Sequence, residues 1–411
     1  MLSINKKTLS SLFVLPVIVA ALGYFVDIYD LLLFGIVRMP SLKSLGLSDA
    51  EISKIGMEIL NWQMIGLLVG GIFWGVLGDK KGRLSVLFGS IITYSIANIG
   101  CGFVQDPNLY MLLRFIAGIG LAGELGAGIT LVSEILPIQL RAIGSSMVAG
   151  IGVLGAVVAF FTVELFNWRN AYFFGGAMGI ALLLLRVGVV ESGAFDKISK
   201  QKHVIKGNFL TLFTNWKRFV KYLRCIGIGL PTWFVIGILA TFSNEIGKSL
   251  HIVEPVKPGL AILWSYAGLS IGDILCGFIS QRLQSRKKAV LYFMMFTLMA
   301  CFILLIGIIE TAKQYYLLSL ITGIGIGYWA MFVTISAEQF GTNLRATAAT
   351  TVPNMVRGIV VLMTLGFSYF KSFTTVTLSA SIVGVICFAI GIYSIVSIGE
   401  THGKDLDYLE E

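Results

Sequence analysis

Charge is what this sequence has least of. Only 13% of its 411 residues are Asp, Glu, Lys or Arg, while 56% are hydrophobic. Soluble domains carry about 25% charged residues, so about half the usual supply is present and a water-facing surface could not be covered. That shortage excludes a soluble globular enzyme, a disordered chain and a free nucleic-acid binder. Proline is scarce too, 8 residues against 47 glycines, a balance that favours closely packed membrane helices. Alternating segments of about ten residues, the mark of a membrane β-barrel, are missing. The three histidines, His203, His251 and His402, all fall in loops, so no histidine relay crosses an apolar run. Five cysteines (Cys101, Cys225, Cys276, Cys301, Cys387) lie in apolar stretches without metal-ligand spacing and read as buried small residues. No catalytic triad, phosphate loop or metal cluster occurs, and neither a cofactor nor a bound metal is expected.

What is abundant is long apolar runs. A hydrocarbon core about 30 Å thick needs about 20 helical residues. Twelve such runs occur, at 11–37, 57–77, 84–104, 109–135, 142–165, 170–190, 219–247, 258–281, 289–309, 315–340, 346–370 and 374–398. They are numbered here as spans 1 to 12. Met1–Lys7 and the apolar run behind it imitate a secretory signal, but no small-residue cleavage site follows, so the run reads as a first span. The expected fold is an all-α membrane protein, with twelve transmembrane helices in two pseudo-symmetric six-helix bundles. The bundles would cover 1–190 and 219–411. A linker at 191–218, carrying Lys197, Lys200, Lys202 and Lys206, would join them and rest against anionic headgroups.

The net charge of +9, from 31 Lys+Arg against 22 Asp+Glu, has a simple explanation in such a protein. With the N-terminus in the cytoplasm, 18 basic residues fall on the cytoplasmic side and 8 outside. This places both termini inside, in a multi-pass plasma membrane protein, a bacterial inner membrane being the expected site.

The halves repeat in sequence. Ser133-Glu134-Ile135-Leu136-Pro137-Ile138-Gln139-Leu140-Arg141-Ala142 closes span 4, and Ala337-Glu338-Gln339-Phe340-Gly341-Thr342-Asn343-Leu344-Arg345-Ala346 closes span 10. Acid and arginine are seven residues apart in both, at an offset of 204. Parallel repeats of this kind put a substrate site between them near the midplane.

Other landmarks carry a family resemblance. Gly75-Val76-Leu77-Gly78-Asp79-Lys80-Lys81-Gly82-Arg83 resembles the G-x-x-x-D-[RK]-x-G-R loop of the major facilitator superfamily. Its second-half counterpart, Gly277-Phe278-Ile279-Ser280-Gln281-Arg282, lacks the acid and the second glycine. Arg114-Phe115-Ile116-Ala117-Gly118-Ile119-Gly120 is similar to the family's R-x-x-x-G-x-G. Gly399-Glu400-Thr401-His402-Gly403 is similar to the P-E-T-x-G ending of sugar-porter-like members. Val26-Asp27-Ile28-Tyr29-Asp30 resembles first-span motifs of aromatic-acid/proton and metabolite/proton symporters. Gly120-Leu121-Ala122-Gly123-Glu124-Leu125 resembles a segment of metabolite symporters and of niacin and organic-ion carriers. Arg357, twelve residues after Arg345, is at a spacing shared with aromatic-acid symporters and organic anion transporters. The resemblance implies a transporter rather than an enzyme: a monomer in lipid that takes up a small organic anion with protons by rocker-switch alternating access. Span 5 lacks the G-x-x-x-G-P-x-x-G-G motif frequent in exporters, which leans against drug or metabolite antiport without removing it. A ligand sensor that does not transport is a further alternative.

Six ionisable residues fall well inside spans: Asp27, Asp30, Arg114, Glu124, Asp273 and Arg357. Each costs a few kcal/mol or more at the bilayer centre unless it is paired or wet. At about 1.5 Å per residue, Asp27 and Arg114 both lie about 22 Å above the cytoplasmic side, which predicts an Asp27–Arg114 pair. That pair is either a proton-coupling switch or a permanent packing ion pair. Asp30, one turn further out, shares the first role, and Glu124 is a second proton site or a packing acid. Arg357 is near the midplane with no acid obviously matching its height, so a carboxylate substrate is its natural partner, the alternative being a pair with an acid such as Asp273. Asn354, Tyr29, Trp62, Gln63, Trp233, Tyr328 and Trp329 are candidates to complete the pocket, with Tyr24, Trp264 and Tyr266 among the nearby aromatics. Asp79, Arg83, Glu134, Arg141, Glu338 and Arg345 are expected to form an ionic latch at the cytoplasmic surface. Asp273 has a gating or structural role.

Overall fold

The computed structural model describes residues 15–188, 209–404 and 408–410. The linker lysines Lys197, Lys200, Lys202 and Lys206 lie outside the described residues. Eleven segments are helical, long and apolar enough to cross a membrane. The twelfth, Trp168–Leu185, has 18 residues and opens on Trp168-Arg169-Asn170, which makes it less apolar. No strand occurs among the described residues.

Local chemistry sets where the helices start and break. Span 2 begins at Asp49 rather than near residue 57, because Ser48 and Glu51 form a capping box. The Glu51 carboxylate accepts the Ser48 N–H at 2.9 Å. Span 4 is two helices, Pro107–Leu121 and Glu124–Ile135. Span 10 is broken at the matching place, into Ala312–Gly325 and Trp329–Gln339. Span 7 runs unbroken through Pro231 as Trp216–Phe234, then widens into a π-helical turn, Val235–Ala240. Pro353 likewise sits inside one continuous helix, Arg345–Lys371. Neither proline splits its span.

Burial separates the helices into two classes. Spans 1, 4, 7 and 10 have 78–89% of their apolar core buried, whereas the other eligible spans have 44–56%. The first class forms the centre and the second leaves a face for lipid. The halves meet along two related seams, span 2 against span 11 and span 8 against span 5.

Within each half, the same close approach recurs. Gly66 and Gly70 of span 2 lie on the backbone of span 4: an added Cβ would fall 2.2 Å from the Phe115 carbonyl oxygen and 2.3 Å from that of Ile119. Gly268 and Gly272 of span 8 lie on span 10 in the same way, 2.1 Å from the Leu320 oxygen and 2.2 Å from that of Ile324. Both are G-x-x-x-G pairs, which let helix backbones touch where lipid provides no hydrophobic drive. This repeat is more literal than the charged one, yet 47 glycines hide it from the eye. Backbone atoms cannot yield to a side chain, so Gly66→Val and Gly268→Val should each destabilise the fold by about 1–3 kcal/mol. The measurement is the midpoint of thermal unfolding in detergent. An unchanged midpoint for either variant would show that its helix pair is not close-packed.

Candidate functional site

Between the halves lies a small cavity, about 10 Å³, roughly the room of a single water. Its walls come from both halves: Tyr24, Ile28 and Val153 from the first, Trp233, Trp329 and Arg357 among those from the second. The break in span 10 places Trp329 there, as the first residue of the helix that resumes. Its indole N–H donates across the cavity to the Tyr24 hydroxyl at 3.1 Å.

Arg357 is 3% exposed and has no ion-pair partner among the described residues. Its Nη1 donates to Asn354 Oδ1 at 3.2 Å, and its Nε has no hydrogen-bond partner. The guanidinium carbon lies 5.8 Å from the Trp233 ring and 6.0 Å from the Trp329 ring, a range at which π faces attract a cation. The two indoles lie 6.2 Å apart, edge to face, so they form one aromatic wall beside the guanidinium, and an arginine there with donors left over is built to receive a planar anion.

The first half answers its own charges. Arg114 pairs with Asp30 at 2.9 Å, and not with Asp27 as its height suggested. The height argument followed Cα positions, whereas the guanidinium reaches one turn outward. There Nη2 donates to the Asp30 carbonyl oxygen at 3.1 Å, Nη1 to Asn98 Oδ1 at 3.1 Å, and Nε to Gln63 Oε1 at 3.3 Å. Glu124 opens the second helix of span 4 and pairs with Arg186 at 2.7 Å, with the Ser90 hydroxyl donating to it at 2.5 Å. Arg186 follows a leucine run near the end of span 6, and nothing in the sequence marks its partner. Its side chain turns inward and is fully buried.

That leaves Asp27. It is wholly buried, and neither carboxylate oxygen has a hydrogen-bond partner among the described residues. Its helix neighbours Tyr24 and Ile28 line the cavity. Arg357 lines the same cavity from the other half.

Several expected pocket residues lie elsewhere. Trp62 is 44% exposed and meets Phe115 edge-on, because it faces outward from span 2. Gln63 belongs to the Arg114 cluster and also donates to the Leu31 carbonyl. The Tyr29 hydroxyl is used by the Ala171 carbonyl at 2.9 Å, and that of Tyr328 by the Ile228 carbonyl at 3.2 Å. Both are packing residues of buried helix contacts. Asn354 is not on the cavity wall but behind Arg357. Asp273 accepts the Ala330 N–H at 2.9 Å, capping the helix that resumes after the break in span 10.

At the end rich in lysine and arginine, the halves are locked together. Asp79 accepts the N–H groups of Ala346 (3.0 Å) and Thr347 (2.8 Å), the first turn of span 11. A carboxylate there satisfies orphan donors and meets the positive end of the helix dipole. Glu134 accepts from Arg83 of its own half (2.9 Å) and Arg345 of the other (3.0 Å). Glu338 lies outside this latch: it pairs with Arg286 at 2.7 Å inside the second half. Arg286 therefore matches Arg83, and Gln284, at φ 49°, matches Gly82, at φ 96°. The second loop is one residue longer, which is why its arginine is missed when it is aligned only to Arg282. Arg141 donates to the Leu136 carbonyl at 3.3 Å, within its own loop. Glu400 caps the helix that begins at Arg286, accepting its N–H at 3.0 Å. Burial raises the Glu400 carboxyl, but donors from Ser285, His402, Arg286 and Thr401 outweigh it and hold the group below its usual range.

The chain as a whole has known relatives. The chain matches the Major Facilitator Superfamily over residues 17–365. It is 25% identical over 349 residues to the gentisate transporter of Corynebacterium glutamicum, covering 78% of this chain and 73% of that one. It is 26% identical over 371 residues to the cis,cis-muconate transport protein of Acinetobacter baylyi, covering 85% and 86%. In fold it resembles the proton:xylose symporter XylE bound to 6-bromo-6-deoxy-D-glucose, with a TM-score of 0.75, 16% identity and coverage of 97% and 98%. Two repeated helical halves around a central cavity, matched along nearly their full length, mean that this chain belongs to the Major Facilitator Superfamily, as a membrane transporter and not an enzyme.

Proposed function

We propose that this protein takes up a small organic carboxylate together with protons, driven by the proton gradient across a bacterial inner membrane. The observation that carries the reading is Arg357: a buried guanidinium on the central cavity, with no ion-pair partner among the described residues and with a wall of two touching indoles beside it. The carboxylate would lie on Arg357, its planar body against Trp233 and Trp329. That gentisate and cis,cis-muconate are what two relatives are named for supports this class. The basic end is the cytoplasmic one in this reading, on the excess of Lys and Arg there, so both termini are cytoplasmic and the conformation described is closed inward.

Coupling follows from electrostatics. Asp30 and Glu124 each have a paired arginine, whereas Asp27 has none in direct contact. A carboxylate buried without a partner is costly. When Asp27 is ionised, Arg357 is the cation that offsets it from the other half. A substrate carboxylate at Arg357 removes that compensation, and a proton on Asp27 restores the balance. Anion and proton thus enter together. Asp30 and Glu124 hold their arginines, and their part in coupling is to keep those charges fixed.

Three outcomes test this in proteoliposomes with an imposed pH gradient. Arg357→Ala should weaken gentisate or cis,cis-muconate binding at least about tenfold, the scale of a lost charge-assisted contact; unchanged affinity would refute the site. Asp27→Asn should leave anion binding in place and independent of pH, while uptake stops responding to the gradient. In the parent, affinity should fall as pH rises, because the proton that offsets the anion is lost; persistent gradient-driven uptake by Asp27→Asn sinks the coupling role. Asp79→Asn removes the charge that caps span 11, so a cysteine placed at Thr347 should react several-fold faster with an impermeant maleimide from the basic side. Equal rates would show that Asp79 does not hold that end shut.

A further inference from the structure

The break in span 4 leaves backbone carbonyls without helical donors. Ile119 O is met from span 2 by the Trp74 indole at 2.6 Å. Ala122 O is met from the other half, by Asn354 Nδ2 of span 11 at 3.1 Å. The same Nδ2 donates to Thr350 O at 2.8 Å, and Asn354 Oδ1 accepts from Arg357 Nη1 at 3.2 Å. These partners determine the orientation of the amide. A flip would set an NH2 against a guanidinium and an oxygen against two carbonyls. Asn354 is 2% exposed, and its seat includes Gly71 of span 2, where a Cβ would fall 2.9 Å from Nδ2. One side chain thus joins the arginine of the second half to two elements of the first.

We propose that Asn354 is a positioning residue that presents Arg357 to its anion while the halves are closed at the basic end, and releases it when they part. The inference rests on the reading of Arg357 as the anion site. Thr347, held by Asp79, lies two turns along span 11 from Asn354. Opening that end carries spans 2 and 4 away from span 11, taking Ala122 O and the Gly71 seat with them. The amide then keeps only Thr350 O from its own helix and can rotate, so Arg357 loses its fixed acceptor. Affinity falls on the side where substrate must leave, with no substrate contact by Asn354 itself.

A cross-link separates this from a merely structural role. Gly78 and Ala346 face each other across the halves, with 3.1 Å between an ideal Gly78 Cβ and the Ala346 Cβ. That is close to the Cβ spacing of a disulfide, about 3.8 Å, and the five native cysteines are buried. Full-length protein carrying Gly78→Cys and Ala346→Cys is placed in the Asp79→Asn background, which favours the open end. Dissociation constants for gentisate and cis,cis-muconate are measured reduced and oxidised. Oxidation should tighten binding about tenfold, the worth of one charge-assisted hydrogen bond. The gain should vanish with Asn354→Ala. It should also vanish with Gly71→Val, which fills the seat without touching the cavity wall and serves if Asn354→Ala does not fold. No gain in the parent, or an equal gain in both variants, overturns the positioning role while leaving Arg357 as the anion site. Failure of the parent to bind either anion, oxidised or reduced, overturns the reading of Arg357 and this inference with it.

Discussion

The cost of burying a charge in a membrane protein is the constraint on which this structure turns. An ion removed from water loses several kcal/mol of hydration, and only a close partner with further hydrogen bonds offsets that loss. The first half meets the condition twice in its interior and again at its basic end, where Arg83 pairs with Glu134. Arg114 has Asp30, Asn98 and Gln63 around it; Glu124 has Arg186 and Ser90. Breaking either pair would strand an ion inside a single bundle, so each ties its helices into one rigid body. The second half has one such pair at its basic end, Arg286 with Glu338. Rigid halves are what a rocking mechanism needs, because movement is then confined to the seams between them.

Bonds across the seams are of a different kind. Asp79 holds two backbone N–H groups of span 11, and Asn354 holds one carbonyl of span 4. Each of these partners is a helix-terminal group that water can also satisfy when the halves separate. Opening therefore exchanges protein hydrogen bonds for hydration at small net cost, whereas opening one of the intrabundle ion pairs would not. Glu134, shared between Arg83 and Arg345, combines both: it keeps its intrabundle arginine when the other departs.

How far the sequence discloses this depends on the range of the interaction. Apolar runs are local, so twelve spans and their order are legible directly. The loop with Asp79 and Arg83 and the repeat containing Glu134 and Arg345 are legible as motifs, and they meet as a latch. Pairing across helices is not local. Arg186 ends a leucine run and gives no sign that it turns inward to Glu124. Arg114 chooses Asp30 over Asp27 because a guanidinium reaches a turn beyond its Cα, which a rise per residue does not represent. Trp62, Tyr29 and Tyr328 show the limit for aromatics: depth along a span is readable, but the face is set by neighbours. Arg357 is the exception, legible because no acid matched its height, and an arginine without a partner is itself the signal.

The repeat explains why a near-symmetric scaffold has an asymmetric site. Both halves break the equivalent helix, and both pack it through a G-x-x-x-G pair. At the first break the chain places Glu124, which the Arg186 pair neutralises; at the second it places Trp329, which faces the cavity. Duplication supplies two matching grooves, and divergence fills one with ions and the other with an aromatic wall. Asp27 and Arg357 then stand on opposite sides of the junction, each without an ionic contact among the described residues. Joined in one bundle they would be another static pair. Divided between two bodies, as in the proposed mechanism, their mutual compensation would vary with the position of the halves and with what occupies the cavity. This is the condition under which a proton and an anion can be made to travel together.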